Sequence, residues 1–208
     1  MSKPVDKSTE GRILEAAKEV FMKYGLYGAR MQDIANTAGI NKALLHYYFR
    51  NKERLFDRVF DNALEKYFEQ MTIFGDTSLP IQDRIFIYID NIIDFFSEYP
   101  MMTMFIVKEI SSNPELLKTR IMEIKKDNNP KLFSVLQEGV KTGEIPPIDP
   151  VIFVVNLHSL CAYPFLASPL FKKMIDNNDP MWEDANNTKL KASVKEFVAF
   201  KLSKNNKQ

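Results

Sequence analysis

The sequence predicts an all-α fold in two parts, and three observations lead there. The 208 residues hold 7 Gly against 11 Pro, too few glycines for the tight turns and bulges of a β architecture, which call for positive φ. Apolar residues recur at three- and four-residue spacing and do not alternate as a strand would. Prolines directly follow Asn or Asp at Asn113-Pro114, Asn129-Pro130, Asp149-Pro150 and Asp179-Pro180. Such a pair opens a helix: the Asx side chain caps a free amide, and proline at the first helical position has no N–H to leave unpaired.

In chain order, Ile13, Ala17, Val20, Phe21 and Tyr24 form the stripe of a first helix that Gly25 ends. Residues 30–49, RMQDIANTAGINKALLHYYF, read as two short helices joined by a tight turn. Ile34 and Ala35 supply a buried face, and Ala38 is small where helices approach. Gly39 takes the left-handed conformation that stops the first of the two, and Asn41 caps the second. Leu44, Leu45 and Phe49 give that second helix its apolar face, leaving Lys42, Ala43, His46, Tyr47 and Tyr48 to the surface and flanks. A helix-turn-helix of this kind lays its second helix in the DNA major groove. A longer helix from Asn51 to about Phe74, striped by Phe56, Val59/Phe60, Ala63, Tyr67 and Met71, crosses from the first part into the second. Beyond it Pro80 opens a helix that Tyr99-Pro100 breaks. The run from Pro130, with Leu132/Phe133, Leu136 and Val140, stops at Gly143, Pro146 and Pro147. The stretch from Pro150 to about Ala167, and that from about Asn187 to Leu202 with Leu190, Val194, Phe197 and Val198, complete a body of about five or six helices. The ends, up to about Ser8 and from about Ser203, carry no helical pattern.

Composition narrows the function. With 45% hydrophobic and 26% charged residues the chain is globular rather than disordered. No uninterrupted apolar run approaches the roughly 18 to 20 residues of a membrane span, and the polar start lacks a secretory h-region. The expected location is the cytoplasm, with no membrane partner. Cys161 is the single cysteine, so no disulfide scaffold forms. Two His and one Cys do not make a zinc site without carboxylates, and no metal or cofactor is expected. His158 and Cys161 share a helical face, but no further ligand or base accompanies them, and Ser159 points away from its neighbour His158. With no nucleophile and base, metal cluster or phosphate loop, the chain is not expected to be an enzyme. The formal charge of +1 divides unevenly: residues 1–60 carry 11 Lys/Arg against 7 Asp/Glu, and the rest 17 against 20. A basic head on a slightly acidic body is the charge layout of a nucleic-acid-binding module.

Across residues 8–60 the chain resembles the TetR family of bacterial transcriptional regulators. The resemblance is carried by Ile13 to Tyr24 followed by Gly25, by Asp33-Ile34-Ala35 and Ala38-Gly39-Ile40 across the turn, by Leu45 to Phe49, and by Asn51-Lys52-Glu53 with Leu55. The stretch GEIPPIDP before a helix is similar to the family's C-terminal layout. Two departures stand out. Ala29 and Arg30 occupy positions where the family usually has a capping Thr or Ser, and His46 stands where it usually has Tyr.

The resemblance implies an N-terminal three-helix helix-turn-helix DNA-binding domain, residues 1–50, and a C-terminal helical ligand-binding and dimerisation domain, residues 51–208. The residues expected to face double-stranded operator DNA are Arg30, Gln32, Asn41, Lys42, Ala43, His46, Tyr47, Tyr48 and Lys52. Arg30 and Lys52 suit phosphates, Lys52 from a helix start that already favours an anion. Lys42 suits a guanine edge or a phosphate, and Ala43 a thymine methyl. Tyr47 and Tyr48 offer hydroxyls to phosphate unless one packs inward, and Tyr48 is the ring assigned to DNA. In the body, aromatic and methionine residues exceed what a minimal helical core requires. Phe95, Tyr99, Met102, Phe105, Phe133, His158, Cys161 and Tyr163 are the expected lining for a small apolar or aromatic effector, rather than a sugar or nucleotide. The resemblance further implies a homodimer through the last two long helices, with Val155, Leu166, Val194, Phe197 and Val198 at the interface. The expected function is a ligand-responsive regulator, a repressor released from its operator by the effector. The alternatives are a ligand-independent regulator, or a lipid-binding protein that retains a DNA-binding head.

Overall fold

The computed structural model describes residues 8–112, 114–124, 132–174 and 187–203. The expected helix starts at Asn129-Pro130 and Asp179-Pro180, and the outermost ends of the chain, lie outside the described residues. Every regular element among them is a helix, and the chain divides into two compact units, residues 1–64 and 65–208.

The first unit opens with α1, Thr9–Gly28, whose first turn is capped by Ser8 Oγ accepting from the Gly11 N–H at 3.0 Å. Gly25, at φ 68°, interrupts it where the sequence ends the helix. α2, Met31–Thr37, stops at Gly39 with φ 66°. Arg30 precedes it and makes no side-chain cap bond, as expected of a residue without a short acceptor. α3, Lys42–Tyr48, is capped by Asn41 Oδ1, which accepts from the Leu44 N–H at 2.8 Å. α4, Lys52–Glu69, is capped by Asn51 Oδ1 accepting from the Arg54 N–H at 2.8 Å. Ile13, Ala17, Phe21, Ile34, Ala35, Leu45 and Leu55 are buried together as the core of this unit, and the Phe21 and Phe56 rings meet edge to face at 5.1 Å. Because Leu55, Phe56 and Phe60 are core residues here, the unit takes in the first turns of α4, where the sequence places the boundary at residue 50.

The second unit begins in the last turn of α4 and a 3-10 stretch, Gln70–Gly75, which replaces the final α turns expected as far as Phe74. α5, Ile81–Glu98, is its central helix. Ile85, Tyr88, Ile89, Ile92 and Ile93 are fully buried along it, because α6, α8, α9, α10 and the 3-10 stretch all pack on it. Its first amide, at Ile81, is capped from far away in sequence by Glu144 Oε1 at 2.6 Å. The Tyr99-Pro100 break separates α5 from α6, Pro100–Ser112; α7 is Pro114–Ile124 and α8 is Leu132–Thr142. Gly143, at φ 73°, ends α8. Asp149 opens α9, Pro150–Met174, with its carboxylate accepting from the Val151 and Ile152 amides at 2.8 and 3.0 Å.

α9 runs past Ala167 through Pro164 and Pro169. Pro169 has no N–H to offer the Phe165 carbonyl, and the Ser168 hydroxyl donates to that oxygen instead at 3.3 Å. By length and composition alone, Pro150–Phe171 is long and apolar enough to cross a membrane, with a mean hydropathy of 1.6. The sequence hides this because Asn156, His158 and Ser159 interrupt the apolar run. α10, Thr188–Leu202, lies antiparallel to α5 and is tied to it by Lys191 to Asp94 at 2.5 Å and Lys195 to Asp90 at 2.6 Å.

Candidate nucleic-acid interface

α3 is seven residues long and buries one of them fully, Leu45, with Phe49 closing its end. Lys42, Ala43, His46, Tyr47 and Tyr48 are exposed, as the sequence requires of a groove-reading helix. Leu44 corrects the expectation. Instead of packing inward beside Leu45 it is 36% exposed, because at about 100° per residue it stands a quarter turn away from the buried line. Tyr47, at 82% exposed, is the more outward ring, and Tyr48, at 40%, leans edge-on against it with centroids 5.6 Å apart. The outward position thus falls to Tyr47 rather than to Tyr48.

Several polar groups assigned to DNA have intramolecular partners. His46 Nδ1 donates to the Arg50 carbonyl at 3.1 Å, which closes the end of α3 and leaves Nε2 outward. Asn41 Oδ1 is held by the Leu44 amide. Gln32 Nε2 donates to Asn36 Oδ1 at 2.9 Å along α2. Lys52 Nζ donates to the carbonyls of Ala29 and Tyr27 at 3.2 and 3.4 Å, joining the first turn of α4 to the end of α1. That staple was invisible in the sequence, and it uses two of the three ammonium protons. Arg30 is exposed, and so is Tyr27, at 85%, which sequence reasoning missed.

In the second unit the expected ligand residues separate into two groups. Phe95, Tyr99, Met102 and Cys161 are buried. Phe95 stacks on Tyr99 at 5.1 Å and meets Tyr67 at 5.6 Å. Phe133 and Tyr163 face outward, at 45% and 58% exposed, and do not line this core. Their spacing suits a helix face, but the neighbouring helices cover the opposite one. The side chain of Phe105 lies outside the described residues.

His158 sits in a polar chain through this core. Its Nδ1 donates to the Val154 carbonyl at 2.8 Å, so in the neutral ring Nε2 accepts, and the Tyr88 hydroxyl donates to it at 2.8 Å. Tyr88 in turn shares a side-chain hydrogen bond with Tyr67. Loss of water holds the His158 pKa below its usual value, raises both tyrosines, and pushes the Cys161 thiol up to about 12. Tyr67 was legible in the sequence only as a member of an apolar stripe, and Tyr88 was not singled out there. Nearby, Lys66 Nζ donates to the Tyr99 hydroxyl at 2.6 Å and stands 4.0 Å from Glu98.

The expected interface residues also divide. Val155 and Phe197 are exposed, at 58% and 62%, and Leu166 is half-buried, whereas Val194 and Val198 are buried within the chain itself, at 2% and 3%. The correction is a matter of angle: Val194 and Val198 lie on the side of α10 that packs on α5. The exposed apolar surface is instead carried by Val151, Ile152, Val155, Phe197 and Phe200. Beside it a groove of about 410 Å³ runs between α9 and α10, lined by Ile152, Phe153, Leu157, Phe197, Val198 and Lys201 among others.

A capped two-helix unit with a glycine turn, an exposed second helix and a basic surround defines a helix-turn-helix DNA-binding protein. Residues 13–59 match the family model described as "Bacterial regulatory proteins, tetR family". The chain is 26% identical over 142 residues to the uncharacterized HTH-type transcriptional regulator YhgD of Bacillus subtilis, a match covering 66% of this chain and 72% of that protein. In fold it is similar to the TetR-family regulator PfmR of Thermus thermophilus, with a TM-score of 0.67 at 19% identity, covering 93% of this chain and all of the other. It is also similar in fold to FadR of Bacillus subtilis, solved in complex with stearoyl-CoA, with a TM-score of 0.60 at 21% identity over 90% of this chain and 96% of FadR. Residues 13–59 thus carry the DNA-binding segment of the TetR family, and the curated relatives that the chain resembles are HTH-type transcriptional regulators. Members of this family bind operator DNA as dimers.

Proposed function

We propose that the chain is a cytoplasmic, homodimeric repressor that an apolar or aromatic small molecule releases from its operator. The observation that carries this reading is the path of α4. One unbroken helix, Lys52–Glu69, places Leu55, Phe56 and Phe60 in the core of the DNA-binding unit and supplies Tyr67 to the aromatic and polar cluster of the body. A ligand that rearranges the cluster therefore acts on a helix whose other end belongs to the head. Paired recognition helices need a spacing of about 34 Å to enter successive major grooves, and a ligand that prefers another spacing weakens binding. A coupling of about 1 to 3 kcal/mol changes affinity about 5- to 150-fold.

The class of effector is argued from the enclosed rings and the neutral His158, which favour an apolar body carrying one hydrogen-bonding group. The stearoyl-CoA bound to FadR supports the apolar part of this reading, although its nucleotide-bearing head goes beyond it. Dimerisation is supported by the exposed apolar surface of α9 and α10. The test is operator release. Fluorescence anisotropy of a labelled duplex is followed while long-chain acyl compounds, flat aromatics and sugars are added, with a thermal shift in parallel. Release and stabilisation by the first two classes are expected, and stabilisation by polar compounds alone overturns the effector class.

A further inference from the structure

The helical turn of about 100° per residue sorts the residues of α3 into stripes around the buried Leu45. Ala43 and Tyr47 lie almost opposite it, Lys42 and His46 form one flank, and Leu44 and Tyr48 the other. Leu44 is 36% exposed while its neighbour Leu45 is fully buried, and the Asn41 cap on its amide fixes its place in the first turn. The exposed surface of α3 therefore carries two adjacent apolar side chains, Ala43 on the outward face and Leu44 on the flank beside it, within reach of the bases that a recognition helix faces.

What α3 lacks matters equally. Between Lys42 and Tyr48 there is no Arg, Asn, Gln, Asp or Glu. The forks that read guanine and adenine by two bonds, and the carboxylate that accepts from cytosine, are missing. Asn41 Oδ1 is taken by its cap, and Gln32 and Asn36 bond to each other. Lys42 remains for guanine acceptors or phosphate. The base feature that an exposed leucine and alanine can recognise is the C5-methyl group of thymine, which leaves water together with them on contact.

We infer that Leu44, assisted by Ala43, is a specificity-determining residue that reads thymine methyl groups in the major groove. The inference rests on α3 being the recognition helix. The preferred half-site then has thymine at the one or two steps facing Ala43 and Leu44, with any guanine requirement on the Lys42 flank.

The test begins with full-length protein and a pool of random duplexes, from which the tightest binder is enriched. Its thymines are then replaced singly by deoxyuridine, which keeps every hydrogen-bonding group and loses only the methyl. At one or two positions in each half-site the affinity of the unaltered protein should fall about fourfold per methyl. Leu44→Ala should lose that penalty at the position facing residue 44 and keep it elsewhere. The unaltered protein alone can overturn the inference: an enriched, salt-sensitive duplex indifferent to every deoxyuridine leaves α3 as the recognition helix but removes the methyl contact. Retention of the full penalty at every position by Leu44→Ala, with an unchanged melting curve, overturns the role of Leu44. If no duplex is enriched, the DNA-binding reading fails and the inference fails with it.

Discussion

His158 is held neutral from both sides of its ring, by a carbonyl that can only accept and a tyrosine hydroxyl that donates. A proton added at Nε2 would face the Tyr88 hydroxyl hydrogen in a site that solvates charge poorly. Its pKa in the folded chain lies below the ordinary 6.5, so the unfolded chain binds the proton more readily. The stability linked to this residue is therefore present above about pH 6.5 and lost as pH falls through the lower folded value. Thermal melts from pH 8 to pH 5 should show this loss, and His158→Gln should flatten it. An equal slope in the variant would trace the effect to other groups. Tyr88→Phe leaves Nε2 without its donor and should cost about 1 to 3 kcal/mol in urea denaturation.

At the scale of elements, the two-helix unit is built from local devices, each of which has its own mutational signature. Asn41→Ala removes the cap of a helix only seven residues long and should cost about 1 kcal/mol of stability. Calorimetry checks this, and DNA affinity should fall too because α3 frays. Lys52 stands between two roles: the carbonyls of Tyr27 and Ala29 engage its ammonium, while its place at a helix start suits a phosphate. Lys52→Ala should lower the affinity for all duplexes alike and reduce the slope of log affinity against log salt by about one. Loss of the staple should also lower the melting temperature. An unchanged salt slope with a lowered melting temperature assigns Lys52 to the α1–α4 junction alone.

For the whole molecule, the exposed apolar surface of α9 and α10 separates two substitutions that look alike in sequence. Phe197 is 62% exposed and Val198 is 3% exposed. Phe197→Glu should yield a folded monomer at micromolar concentration, whereas Val198→Glu buries a charge beside α5 and should unfold the body by several kcal/mol. Sedimentation with circular dichroism distinguishes them, and an unaltered dimer for Phe197→Glu would send the interface elsewhere. Pro150–Phe171 has the composition of a membrane span, and the dimer proposed above would account for it, since a helix with one face in the core and another against a partner needs little polar surface.

Sequence alone determined the features whose cause is local. Gly39 and Gly143 stop helices, and Gly25 kinks α1, because each takes a positive φ. Asn41 and Asp149 start them because a short side-chain acceptor reaches its own first turn, and the Tyr99-Pro100 break needs no distant partner. The helix-turn-helix is legible for the same reason, since its signals lie within twenty residues of one another. What the tertiary structure decided is which face of each helix turns inward. In α3 two leucines are adjacent, and only the packing of Leu45 against the other head helices leaves Leu44 outside. In α10, Val194, Phe197 and Val198 form one apolar group, and docking on α5 through Lys191 and Lys195 buries the valines and exposes the phenylalanine. The Glu144 cap on Ile81, the Lys52 staple and the Tyr67–Tyr88–His158 chain join residues far apart in sequence. Periodicity records how apolar a face is, but the choice between competing apolar faces belongs to the neighbours that cover them.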